Sequence, residues 1–308
     1  MAVLVDATSR ILVQGITGHT GRNLAARLLS EGSPLVGGVS PKRAGTTVAG
    51  LPVFRSCYQA VAETGANCSF VSVPPPFAKD AVLEAIDAGI STLVVYTEGV
   101  PQLDAVIMAA YAARRGARLI GPNAAGCVSP GQANLSDLNG ALLRRGEVGI
   151  VSKSGTLTYE VIDSLNGCGL GQSTVVCLGG DPVVGLWHDE VLEMFEADPQ
   201  TRAVVLIGEI GGRSELAAAD VVARMQTPVV AYIAGKHAPP GKRMGHAGAL
   251  IGSPEENVPG KRAALADVGA TVVDDVLGIG DIVSRVIDPA QFSPRLSSPK
   301  LTSEQGVE

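Results

Sequence analysis

Short apolar runs rich in β-branched residues alternate along this chain with longer stretches whose apolar positions recur at helical spacing. "RILVQG" (10–15) predicts a strand, followed by a glycine loop and a helix from about Arg22 to Leu29. "SPLVGGV" and "CSFVSVP" predict second and third strands. "FAKDAVLEAIDAG" then predicts a helix, with Val82, Leu83 and Ile86 on one face and Gly89 as its stop. "STLVVYTEG" is a fourth strand, "LDAVIMAAYAARRG" a helix closing on Arg114, Arg115 and Gly116, and "ARLIGPN" a fifth strand. Strands joined by helices of this length require right-handed parallel crossovers, which build an open doubly wound α/β sheet.

The rhythm breaks over about 122–146, where Pro, Gly, Asn and other polar residues dominate, and then restarts. "EVGIVS", "STVVCLGG", "RAVVLIGEIGG", "PVVAYIAG" and "ATVVDD" predict strands. "TLTYEVIDSL", "DEVLEMFEAD", 214–226, 255–268 and a last stretch to about Val286 predict helices. The expected organisation is one α/β unit over 1–125, a linker over 126–146 and a second α/β unit over 147–287. The Ser/Pro-rich 288–308 reads as a disordered tail.

Composition narrows the function classes. The 308 residues are 46% hydrophobic, enough for sizeable cores, and only 4% aromatic, with a formal net charge of −6. No basic stripe interleaved with aromatics points to nucleic acid. No apolar run approaches the ~18 residues of a membrane span. "MAVLVDATSR" lacks the basic-then-apolar pattern of an export signal, so a cytoplasmic location is expected. The five cysteines (57, 68, 127, 168, 177) form no CxxC and no zinc spacing, and they read as small buried hydrophobes. No metal site is expected.

Four stretches carry candidate chemistry. "QGITGHTGRN" spaces Gly15, Gly18 and Gly21 as GxxGxxG, which differs from the GxGxxG of dinucleotide sheets but still aims backbone N–H groups at a helix start suited to phosphate. Taken alone it is also compatible with an ordinary tight turn. Loops after the next strands place Lys42 and Arg43, "VPPPF" and "YTEG" at the same sheet edge, where open α/β sheets take ligands. "VSKSGTLTYE" puts Ser154, Gly155 and Thr156 at a second helix start, either an anion site or a plain N-cap. Ser152 stands where a GxSxG nucleophile elbow needs glycine. Glu209 in "LIGEIGG" ends a strand, and His246 lies on a glycine-flanked loop in "GKRMGHAGALIGS". His188 reads as a surface histidine at a helix start. No GxxxxGK[ST] occurs, so a nucleoside triphosphate would have to be bound by another chain.

In order, "GITGHTG", "VGGVSP", "EAIDAGI", "IGPN", "EVGIVSKSGTLTYE", "GGDP", "LEMFEADPQT", "IGEIGG" and "APPGKRMGHAGA" make the chain resemble the alpha subunits of succinyl-CoA synthetases (succinate–CoA ligases) over about residues 3–285. The resemblance implies a Rossmann-like CoA-binding domain followed by a flavodoxin-like ligase domain, both with mainly parallel sheets. It implies a beta partner with an ATP-grasp site for Mg and ATP or GTP, in an αβ or (αβ)2 assembly. The implied reaction turns carboxylate, CoA and NTP into acyl-CoA, NDP and phosphate. By position, His246 matches the transiently phosphorylated histidine, and Glu209 the carboxylate that orients it. Ser154, Gly155 and Thr156 match the helix start facing the phosphoryl group. Thr17, Gly18, His19 and Thr20 fall on the CoA glycine loop. Arg43 falls on a CoA lysine with Lys42 beside it, Tyr96, Thr97 and Glu98 on a further CoA segment, and Tyr159 near the carboxylate substrate.

Three departures bear on the substrate. "SPKRAG" stands for the family's usual "TPGKGG", "GPNAAG" for "GPNCPG", and "VVGLWHD" brings Trp187 and His188 after "GGDP". Succinate is the expected acid, and malate or citrate are alternatives. Two other classes compete: a non-catalytic CoA-binding regulator, opposed by the intact His246, Glu209 and "SGTLTYE", and an NAD(P) oxidoreductase, opposed by the glycine spacing.

Overall fold

The computed structural model describes residues 2–239 and 244–288. The expected tail beyond 288 and residues 240–243 of the histidine motif lie outside them.

In the first half, β1 (Ile11–Gln14), β2 (Leu35–Val39), β5 (Cys68–Val71), β6 (Thr92–Val95) and β7 (Arg118–Ile120) run parallel, and a short hairpin of β3 (Thr47–Val48) and β4 (Leu51–Phe54) extends the β2 edge. The sheet order is β3-β4-β2-β1-β5-β6-β7. Its helices are α1 (His19–Ser30), α2 (Cys57–Thr64), α3 (Pro75–Asp87) and α4 (Gln102–Arg115). The central strands are buried on both faces, as fully covered parallel strands must be. The order reverses at β1, so the crevice for a ligand opens at the carboxyl ends of β1 and β5.

The second sheet has the order β14-β13-β12-β10-β11-β8-β9. Parallel β10 (Arg145–Ser152), β11 (Gln172–Cys177), β12 (Ala203–Glu209), β13 (Val229–Ala234) and β14 (Thr271–Val273) alternate with α5 (Gly155–Gly167), α6 (His188–Glu196), α7 (Ser214–Val222), α8 (Val258–Asp267) and α9 (Ile279–Ile287). Its reversal lies at β10 and β12, which end at Ser152 and Glu209. Both halves are therefore α/β with mainly parallel sheets, as the sequence pattern predicts.

The first part of the segment expected as a linker is sheet. β8 (Gly126–Ser129) and β9 (Ala133–Ser136) form an antiparallel hairpin, and β8 pairs antiparallel with β11. All eight strand residues are buried, and their polar side chains are paired, Ser129 with Thr174 of β11 at 3.0 Å and Ser136 donating to Asn134 at 2.5 Å. From α1, Arg27 donates to the Ser136 and Leu138 carbonyls at 2.8 and 2.6 Å, and Asn134 donates to Glu31 at 2.9 Å. On the far side, Gly185 and Leu186 donate to the Gly121 and Leu119 carbonyls and cover the β7 edge.

Smaller differences have local causes. α1 begins at His19, earlier than the predicted Arg22, because the glycine loop winds directly into the helix. α7 stops at Val222, short of 226, where the Glu196 carboxylate captures the Gln226 and Thr227 amides. Four cysteines are buried as expected, but Cys168 is exposed at the end of α5. Burial pushes the Cys57 and Cys177 thiols up to about 12 and about 11, so they are inert packing groups. Among the described residues no helix is long and apolar enough to cross a membrane.

Candidate functional site

The carboxyl edges of the two sheets face one another across a single cavity of about 980 Å3. The first sheet contributes the loop after β1 with Thr17, Gly18, His19 and Thr20, Lys42 after β2, and Tyr96, Thr97 and Glu98 after β6. The second contributes Lys153, Ser154, Gly155 and Thr156 after β10, together with His246.

The β1–α1 loop is shaped by close approach. A Cβ on Gly21 would stand 2.4 Å from the Gly15 carbonyl oxygen, so only glycine lets the helix start double back on the strand end. The α1 N-cap, Gly18, offers no side-chain acceptor, and no acidic residue occupies the first turn. The positive end of α1 is thus left to an anion in the cavity. Thr17 is fixed by a 2.9 Å hydroxyl contact with Ser40, and Thr97 donates to the Val73 carbonyl at 2.7 Å. Tyr96 leans on Phe70 with ring centroids 5.6 Å apart, and burial raises its phenol above the usual value. Arg43 points away from the main cavity into a neighbouring one of about 420 Å3, which it lines with Thr17, Arg22, Thr46 and Thr47.

In the second half, Ser154 caps α5 by accepting the Leu157 amide at 3.2 Å, which leaves the Gly155 and Thr156 amides at the head of the helix. His246 Nδ1 lies 2.7 Å from Glu209 Oε2. A carboxylate only accepts, so Nδ1 carries the proton and the neutral ring keeps its lone pair on Nε2. The hydrogen bond to Glu209 raises the His246 pKa above 6.5, against burial and Lys153, which lower it. The ring rests on Gly180, and the Gly248 amide donates to the Gly180 carbonyl at 2.9 Å, which fixes the loop on the "GGDP" turn. That turn is also joined to the first half: Asn123 donates to Asp181 at 3.0 Å and lies beside Thr97, whose carbonyl accepts the Asn123 amide.

The expected residues mostly converge, with two exceptions besides Arg43. Tyr159 is half-buried away from the cavity, where its hydroxyl accepts the Asn139 amide at 2.8 Å. His188, expected at the surface, is wholly buried, although it does begin α6. It accepts from the Ser214 hydroxyl at Nδ1 (2.6 Å) and faces the Ile207 carbonyl through Nε2 (3.3 Å). Burial brings its pKa down to about 4, so it is a neutral core group.

Known proteins carry the same two halves. Residues 6–99 match the family described as CoA binding domain, and residues 151–271 the one described as CoA-ligase. The chain is 47% identical over 290 residues to the succinate–CoA ligase [ADP-forming] subunit alpha of Aquifex aeolicus, covering 93% of this chain and 95% of that one. It is 46% identical to subunit alpha 1 of Archaeoglobus fulgidus, covering 94% and 99%. The chain belongs to the succinate–CoA ligase alpha-subunit family. The fold of this alpha-subunit family member also superposes on 54% of the ATP citrate lyase chain of Methanosaeta concilii, with a TM-score of 0.86, 24% identity and 99% of this chain covered.

Within this succinate–CoA ligase alpha-subunit framework, the departures noted in the sequence separate cleanly. Ala124 and Ala125 line the main cavity, whereas Trp187 and His188 do not. Sequence reasoning passed over Lys153, which lines the cavity, and Gly180, which carries the histidine. Lys153 lies within "VSKSGTLTYE" and Gly180 within "GGDP". It also missed Glu215 and Lys261, buried behind Glu209, because a charge in an amphipathic helix reads as solvent-facing until tertiary packing is known.

Proposed function

We propose that the chain is the alpha subunit of an NDP-forming acid–CoA ligase, acting in the cytoplasm on succinate through an acyl phosphate and a phosphohistidine at His246. One observation carries the reading: His246, oriented by Glu209 at 2.7 Å, opens into the same cavity as the glycine loop of the CoA-binding half. The Nε2 lone pair takes the γ-phosphoryl group as the bond to NDP breaks. The carboxylate substrate then displaces the imidazole from phosphorus to form an acyl phosphate. The CoA thiolate attacks the acyl carbon and inorganic phosphate leaves. Nucleotide and Mg are assigned to an ATP-grasp beta partner in an αβ or (αβ)2 assembly.

This chain's residues have separate duties in that scheme. Glu209 holds one tautomer, and the head of α5 at Ser154, Gly155 and Thr156 steadies the phosphoryl group. A helix N-terminus supplies about 0.3–1 kcal/mol when exposed and up to ~2 when partly buried, which is enough to place a group that must leave again. Thr17, Gly18, His19, Thr20, Lys42, Tyr96, Thr97 and Glu98 are assigned to CoA along the cavity. Arg43 is assigned to a phosphate of CoA in the adjoining recess. Tyr159 is given no place at the substrate, because its hydroxyl is taken by the Asn139 amide away from the cavity lining. Because Ala124 and Ala125 line the cavity in place of Cys and Pro, a larger acid such as malate or citrate is the second reading for the substrate.

The test is to mix the chain with a beta partner, CoA and γ-labelled NTP. Acid-labile, base-stable label on His246, absent in His246→Ala, supports the reading. Equal label on His246→Ala rejects the phosphohistidine, and no label with CoA still bound supports a non-catalytic CoA protein. Acyl-CoA formation across a series of carboxylates then decides the acid.

A further inference from the structure

Behind Glu209 the second half buries charges that hydrophobic packing alone would not call for. Glu215 and Lys261 are wholly buried, and Lys153 is 10% exposed at its side chain. Glu215 Oε1 accepts the Glu209 backbone amide at 3.1 Å and lies 3.2 Å from Lys153 Nζ, while its other oxygen takes Lys261. Lys261 Nζ also donates to the Glu209 and Gly211 carbonyls, both at 2.7 Å. Glu209 thus has its N–H held by one member of a buried ion pair and its C=O held by the other. Gly208 leaves the room this needs, since a Cβ there would stand 2.6 Å from the Glu215 side chain.

Lys153 and Lys261 both face the Glu215 carboxylate, Glu209 carries its own carboxylate out to His246, and His188 beside them is neutral. Burial alone would raise the Glu215 carboxyl, yet the adjacent Lys153 and Lys261 ammonium groups bring it down to about 2, so it stays ionised. Burial lowers the Lys261 ammonium, but three oxygen acceptors surround it and keep it protonated. Lys153 is the member of the cluster that shares the cavity wall with His246. Burying such a cluster costs stability relative to apolar side chains, and position-specific function is a reason for keeping one.

We propose that Glu215 and Lys261 form a clasp that positions Glu209 against His246, and that Lys153, tethered to the clasp, supplies the counter-charge for the phosphoryl group. The second clause rests on the phosphohistidine reading above, whereas the first concerns His246 in any state. Because Lys153 is held back by Glu215, it acts through its field and does not grip the dianion, so the phosphoryl group can still leave.

The test uses the full chain, alone for nitrogen NMR of the His246 ring and with a beta partner for labelling. Lys261→Met leaves two buried carbonyls without a donor and frees the Glu209 turn. The expected result is a mixed His246 tautomer and a labelling rate lower by ~10²-fold, as for other small displacements of a reacting group. The Kd for CoA stays within about twofold, since no clasp residue touches the first half. Lys153→Met is expected to lower the steady-state level of phosphohistidine about tenfold while keeping one tautomer, with Lys153→Arg restoring it. A folded Lys261→Met with the wild-type tautomer overturns the clasp, and full phosphohistidine in Lys153→Met overturns the counter-charge. Should Lys261→Met fail to fold, Glu215→Gln decides the clasp: its amide oxygen can still accept the Glu209 amide but no longer holds two lysines, and an unchanged tautomer there rejects the idea. If wild-type His246 takes no label, the proposed function fails, and the tautomer comparison still judges the clasp.

Discussion

Gly180 and His246 are in such close contact that a methyl group on Gly180 would lie 2.3 Å from the imidazole Cγ. The glycine is therefore the floor on which the ring lies. Gly180→Ala must push the ring off its Glu209 partner or open the "GGDP" turn. We expect phosphate labelling of His246 to fall ~10²-fold with CoA affinity retained, measured by label incorporation and calorimetry. Unimpaired labelling would show that the ring does not need this seat.

Glu209 raises the His246 pKa above 6.5. The nucleophile is the neutral ring, so the rate of labelling should climb with pH through an inflection above 6.5. Glu209→Gln removes the charge but keeps an acceptor, so the inflection should move down while the maximal rate drops on the order of tenfold or more. A pH–rate profile of both proteins checks this, and coincident inflections would count against it. The same raised pKa means that any stability from the charged pair is complete below 6.5 and disappears as pH rises through the folded value.

His188 titrates at about 4 in the folded chain and near 6.5 when unfolded. Between those values the unfolded chain binds the extra proton, so stability is greatest above pH 6.5 and falls as pH drops toward 4. The total loss is about 3 kcal/mol at 1.36 kcal/mol per pKa unit. Glu215 adds a loss of the same sign lower down, between 4.5 and about 2. Denaturant unfolding at a series of pH values should show the upper slope in the wild type and not in His188→Asn. Retention of that slope would assign it to another group.

Gly21 lets α1 turn back on the end of β1, with the Gly15 carbonyl 2.4 Å from where a Cβ would stand. Gly21→Ala meets backbone, which cannot yield as a side chain can. The expected outcome is a loss of about 1–3 kcal/mol in stability and weaker CoA binding. Labelling of His246 by a beta partner should survive in the folded fraction, because the second half is untouched. Unchanged CoA affinity would contradict the role given to this loop.

The sequence was most informative where chemistry and backbone geometry coincide locally. The glycine loop, the "SKSG" helix start and the strand-end Glu209 could be placed because strand, loop and helix follow one another within a few residues. It misled where an outcome depends on distant partners. His188 looks exposed by composition, but Ser214 and the Ile207 carbonyl satisfy both ring nitrogens and allow burial. Residues 126–136 look like a linker because Gly, Pro and small polar residues outnumber the apolar ones, and only β11 and α1 make them a paired, buried hairpin. Tyr159 lies one helical turn from the head of α5, and local spacing cannot reveal that its hydroxyl turns to Asn139.

That hairpin has a further consequence. It belongs to the second sheet by strand pairing and to the first half by the Arg27, Glu31 and Ser33 contacts, while 185–186 run back to seal the β7 edge. The chain therefore offers no clean cut. A gene divided anywhere between 121 and 140 would give two fragments, each with an unfinished sheet edge and half a cavity wall, and neither would be a usable enzyme module.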